Sequence, residues 1–146
     1  MGTVTSSDLR RFHEAQGQGP GCIYERALAE LREGRKRGHW IWFILPQLRG
    51  LGRSPTSQRY GINDLAEAQA YLADPLLGQR LEAVTTVIAD QLHQPGQTLV
   101  LLMGSQLDAS KTISSLTLFE AAGMESAVLL LDHLGRRCRA TQDHLR

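Results

Sequence analysis

The segment from Asp74 to Gly96 constrains the fold of this chain most. Leu77, Leu81, Val84, Ile88 and Leu92 recur at three- and four-residue intervals, the spacing that stacks side chains along one face of an α-helix. Asp74-Pro75 supplies an N-cap and then a proline in the first turn, where its missing N–H costs nothing. Pro95-Gly96 stops the helix. A long helix with one apolar stripe has to be covered, and the flanking sequence offers more helices rather than strands.

Ser7 or Asp8 caps a short helix that carries Leu9, Phe12 and Gln16 on one face. Three glycines and a proline between Gly17 and Gly21 break it. Ile23, Ala27, Leu28 and Leu31 mark a second helix up to Gly34, with Glu25, Arg26, Glu30 and Arg32 on a solvated outer face. Asn63 or Asp64 caps the next, with Glu67 in the capping-box position and Leu65, Ala68 and Leu72 turned inward. Leu99–Met103 is a short apolar run, strand or buried helical turn, closed by Gly104. Asp108 or Ser110 opens a helix that runs to Gly123, and residues 126–134 form a last core helix. No strand–helix–strand alternation is present. The expected fold is mainly α: a single multihelical globular domain over residues 1–146, with 1–6 and 136–146 peripheral. A chain of 146 residues suits one core.

Composition removes several classes of function. Formal net charge is +1, so no global basic field argues for nucleic acid. No apolar run reaches the ~20 residues that span a bilayer, so no membrane partner is expected. The first residues show no basic-then-apolar signal pattern, which makes a cytoplasmic protein with reduced thiols the expectation. Cys22 and Cys138 belong to no metal-ligand spacing, and His13, His39, His93, His133 and His144 form no pair at ligand spacing. Neither a metal nor a cofactor is expected. The glycine-rich, P-loop and nucleophile-elbow signatures are absent.

The stretch GRKRGHWIWFILPQLRG (34–50) concentrates the chemistry. Its β-branched and aromatic residues favour a strand, while its even apolarity equally allows a buried helix. Pro46 ends either one. Arg35 and Lys36 suit a phosphate, as a fork and a point charge. Trp40, Trp42 or Phe43 can stack on a base, and Gln47 can read its edge. Equally, the cations can end the preceding helix and the aromatics can be core. A second set is Asp108, Lys111, Ser114 and Ser115, spaced along one helix. Asp108 would be the catalytic carboxylate and His39 its companion in acid–base work, with Tyr60 a hydrogen-bond donor. The bland alternative makes Asp108 a cap paired with Lys111 at the surface.

Six blocks carry a resemblance: DLRRFHEAQ (8–16), the Tyr24–Leu31 helix, GRKRGHWIWFILPQLRGLG (34–52), Tyr60-Gly-Ile62, AEAQAYLADPLLGQRL (66–81) and DASKTISSLTLFEAA (108–122). The chain resembles the DUF1810 family, small proteins of about this length. The resemblance implies one multihelical domain and no established activity. Gly38, Leu45 and Leu116 depart from the family's usual Ser, Phe and Met, and Gln97–Met103 and the C-terminal tail match less well. In size, helicity and an early Trp-rich motif the chain is also similar to NADAR-type proteins of NAD and ADP-ribose metabolism. Two functions follow as expectations: binding or hydrolysis of a small nucleotide derivative related to NAD or ADP-ribose, or a non-catalytic helical interaction module.

Overall fold

The computed structural model describes residues 6–146, with side chains from Leu9 onward; residues 1–5 of the expected tail lie outside the described residues, and Ser7 and Asp8, expected to cap the first helix, lie within it instead. Ten helices follow in order: α1 (Ser6–Gln16), α2 (Ile23–Arg32), α3 (Ile41–Ile44), α4 (Pro55–Tyr60), α5 (Leu65–Ala73), α6 (Pro75–Leu92), α7 (Leu99–Met103), α8 (Gln106–Ala121), α9 (Glu125–Leu134) and α10 (Arg139–His144). The fold is mainly α, as the periodicity predicts. Among the described residues no helix is long and apolar enough to cross a membrane.

The core is built on two helices. α6 buries Leu77, Leu81, Val84 and Ile88, its predicted stripe, and packs against α2, α5, α7 and α9. The Asp74 carboxylate accepts the N–H groups of Leu76 and Leu77 and starts it. The corner between α5 and α6 is tight: a Cβ on Gly78 would lie 2.2 Å from the Leu72 carbonyl oxygen, so a side chain there would force the helices apart. The second helix, α8, is covered by α5, α7, α9, α10 and α3 and is buried continuously from Thr112 to Phe119. A helix enclosed on all sides has no apolar stripe. Thr112 and Thr117 satisfy their hydroxyls by donating to the carbonyls four residues back, Asp108 and Ile113.

Two expectations about helix starts and faces need correction. Ser105, not Asp108 or Ser110, caps α8, accepting from the Asp108 N–H; Asp108 therefore sits in the first turn with its carboxylate released for other partners. The inward face of α5 is Glu67, Ala68 and Tyr71, not Leu65, Ala68 and Leu72. The cap itself is as expected: Asp64 accepts from Glu67 N–H, and Glu67 reaches back to accept from the Asn63 N–H, one residue before the cap. Gln16 and Glu67 are both buried despite their polarity. The HWIWFILPQL stretch resolves as both options in miniature. Residues 41–44 make one helical turn, and beyond Pro46 the chain extends so that Leu48 bridges Ile62 in parallel. Residues 136–146 add α10 against α8, with Thr141 buried.

Candidate binding cleft

The cleft begins with a carboxylate that the sequence places in solvent. Glu30, near the end of α2, accepts the N–H groups of Arg37 and Gly38 at 2.8 and 2.9 Å and the Trp40 indole N–H at 2.9 Å, all on Oε1. Burial works against its charge, yet these donors and the nearby Lys36 ammonium hold its carboxyl below the usual range. One oxygen thus fixes the 37–40 turn. That turn sends Lys36 inward. Its backbone N–H donates to the Leu102 carbonyl at 2.7 Å, and its ammonium lies 5.1 Å from the Trp40 ring centroid. The ammonium donates to the Gly38 carbonyl and meets Asp108 Oδ2 at 2.7 Å.

Asp108 is the join between the two halves of the cleft. Lys36 holds one of its oxygens, and Lys111, one turn along α8, stands 3.8 Å from the other. Two ammonium groups share one carboxylate, which leaves one positive charge. Around this triad is a cleft of about 270 Å³. Ile41, Trp42 and Phe43 of α3 form an apolar wall, and Ser54 and Thr56 bring hydroxyls from the start of α4. Ser54 already accepts the Ser57 N–H as the cap of α4, which leaves its hydroxyl proton to donate. His39 is exposed on the rim.

The α3 wall is held from behind. Gln16 of α1 donates to the Phe43 carbonyl at 2.8 Å and to the Tyr71 hydroxyl at 3.0 Å, while its own oxygen accepts from Arg80. Tyr60 packs edge-on against Phe43 with ring centroids 4.7 Å apart. At Gly52 a Cβ would come within 2.8 Å of the Ser57 side chain and 3.3 Å of the Trp42 ring. Glycine there lets the loop close over the indole edge.

Lys36, His39, Trp42, Asp108 and Lys111 therefore meet, across 72 residues of sequence between Lys36 and Asp108. The other sequence candidates sit elsewhere. Trp40 is core, Arg35 is exposed, and Tyr60 stands behind the wall. Gln47 and Ser115 are buried, with Gln47 Nε2 and Ser115 Oγ lacking a hydrogen-bond partner among the described residues. Ser114 donates to the Cys138 thiol at 3.2 Å. Tyr24 lies under the Arg80 guanidinium instead of facing the cleft. Nothing in the sequence marks Ser54 or Thr56 for the site, and Glu30 reads as a solvated residue. Gly50, Gly52, Ser54 and Pro55 read as a loop through about Tyr60; instead Ser54 caps α4 with Pro55 in its first turn, and nothing local says that this start faces Asp108.

Comparison with known proteins agrees with this architecture. The family described as "Protein of unknown function (DUF1810)" matches residues 6–145. The crystal structure of a conserved hypothetical protein from Mycobacterium tuberculosis is 43% identical, with a TM-score of 0.84 over 97% of this chain and 98% of that one. The curated proteins yield no match.

Proposed function

The chain belongs to the DUF1810 family, and from that premise we propose that the cleft around Asp108 binds a small phosphate-bearing molecule with a flat ring, of the nucleotide or ADP-ribose class. The observation that carries this reading is the surplus positive charge of Lys36–Asp108–Lys111 set against the Trp42–Phe43 wall. The ammonium groups suit phosphate oxygens, with Ser54 and Thr56 as further donors. The ring stacks or edges against the aromatics. Lys36 costs no ordering entropy on binding, because Asp108, the Gly38 carbonyl and the Trp40 ring already hold it. In a hydrolytic reaction Asp108 is the one carboxylate lining the cleft among the described residues. There it would steady the cationic sugar carbon while water oxygen bonds to that carbon and the base departs with a proton.

The test is a thermal-shift screen with ADP-ribose, NAD, mononucleotides and inorganic phosphate. The control is Lys111→Ala/His39→Ala, chosen because both side chains are partly exposed whereas Lys36 is structural. A ligand at about a hundred times its Kd adds about 2.7 kcal/mol of stability. The expected result is a rise with one nucleotide class that the double variant loses. No rise with any of them overturns the reading. Asp108→Asn separates binding from turnover: full turnover in that variant removes Asp108 from the chemistry.

A second reading, a helical interaction module, has its own observation. Val100, Leu101 and Leu107 are large apolar side chains left exposed at the α7–α8 corner. Binding through that corner predicts no nucleotide response at all.

A further inference from the structure

The near-zero net charge conceals a segregation. Between Glu33 and Asp64 the chain holds six of its sixteen Lys and Arg and none of its fifteen Asp and Glu. Lys36 is taken by Asp108, and Arg37 by an exposed pair with Glu33. Arg35, Arg53 and Arg59 are exposed and make no ion pair among the described residues; Arg59 leans over the Tyr60 ring at 5.6 Å. Each stands within three positions of a cleft-lining residue, namely Lys36, Ser54 and Thr56. Three exposed arginines without an ion pair among the described residues thus lie close in sequence to the cleft's lining, while Glu30 and Glu33 answer the Arg37 end and the Asp108 carboxylate is shared by two lysines.

Size supplies the second premise. Sites that enclose a drug-sized ligand run from about 300 to 1,000 Å³. At about 270 Å³ this cleft lies just below that range, a size that matches one nucleotide unit. The cations outside it have no use for a ligand of that size.

We infer that the surface from Arg35 to Arg59 docks a single-stranded nucleic acid, with one nucleotide seated in the cleft and the neighbouring phosphates on Arg53 and Arg59. Single strands are held by a cationic track combined with aromatic side chains on which bases stack; here the half-buried Phe43 and the edge of Trp42, 9% accessible, supply the aromatic part. A duplex would keep its bases from Trp42 and Phe43. This inference rests on the cleft being a nucleotide site.

The experiment compares AMP with fluorescein-labelled ten-nucleotide RNA and DNA strands by competition and fluorescence anisotropy, from 50 to 200 mM salt. The strand is expected to bind at least about tenfold more tightly than AMP. Its log-affinity should fall with log-salt at a slope of about −2, as for three neutralised phosphates on a single strand. Arg53→Ala/Arg59→Ala should weaken the strand at least about fivefold and flatten the slope to about −0.7, with AMP binding unchanged. A strand no tighter than AMP overturns the inference while leaving the nucleotide cleft standing. So does an abasic strand that binds as well as the intact one, or an arginine variant that loses nothing. Strand binding untouched by Lys111→Ala/His39→Ala sinks the cleft reading itself.

Discussion

Glu67 and Asp108 are both carboxylates in the first turn of a helix, and both meet a basic side chain from a distant segment. Glu67 is closed on every side. It takes two bonds from the Arg11 guanidinium, at 3.0 and 3.2 Å, and one from the Asn63 N–H at 2.8 Å. Arg11 also donates to the Gly61 carbonyl, so the charges are matched within a buried network. Asp108 is matched with more charge than it can neutralise, and its side chain keeps 19% of its surface against 5% for Glu67. Buried polar groups that satisfy one another specify a core. A set with surplus charge, open to solvent on one side, is available for a ligand. Site and scaffold differ here in how completely the charges are answered.

The largest expected effect tests the closed side. Glu67→Ala leaves the Arg11 charge facing an apolar gap and frees the Asn63 N–H, at a cost of about 3–5 kcal/mol. At this chain length the melting temperature should fall by on the order of 10 °C. Denaturant and thermal unfolding measure it, and a change under 1 °C would show that Glu67 is not a keystone. Lys36→Met comes next. It keeps the bulk under the turn but strips Asp108 of its near partner. Because Asp108 can rehydrate through the cleft, the expected loss is about 1–3 kcal/mol, together with loss of ligand binding.

The Glu30 carboxylate stands between these extremes, and it shows where sequence reading stopped. The α6 stripe, the Asp74 cap and the stops at Gly34 and Gly104 were legible because their signals are local: a period, a capping side chain, a glycine. α8 was mis-started because burial on all sides erases the period that would have located it. By residue type Glu30 belongs to solvent, and nothing local marks Gln16 or Glu67 as buried. Their partners at Trp40, Phe43, Tyr71 and Arg11 lie ten to fifty-six residues away, and nothing adjacent announces them. Half the cleft was legible for the same reason. The cations and aromatics cluster in sequence, whereas the Lys36–Asp108 pair and the α4 hydroxyls come together through the fold.

Glu30 also gives the comparison a pH axis. Its carboxyl and that of Asp74 are held below their usual range in the folded state. Burial of Asp74 is outweighed by the Leu77 and Leu76 amides and by His13. A folded pKa below the unfolded one means the stabilisation is complete above the ordinary carboxyl range and is lost as pH falls through the lowered folded value. Unfolding free energy should therefore decline below about pH 5. Glu30→Gln should cost about 1–2 kcal/mol at neutral pH and make that decline shallower. An unchanged acid profile in Glu30→Gln would locate the pH dependence in Asp74 instead.

The smallest effect on stability is the most informative about the open side. Lys111 keeps 28% of its side-chain surface and stands 3.8 Å from Asp108, a contact at the long limit for an ion pair. Such an exposed pair is worth at most about 1 kcal/mol and often nothing measurable, so Lys111→Ala should unfold within about 0.5 kcal/mol of the parent. The same change cancels the surplus charge, since Lys36 and Asp108 alone are neutral. Nucleotide-induced stabilisation should then disappear while the protein itself remains intact. If Lys111→Ala destabilised the fold as Glu67→Ala does, the Asp108 cluster would be scaffold after all. If it altered neither stability nor binding, the positive charge that attracts the ligand would have to come from the arginines around the cleft.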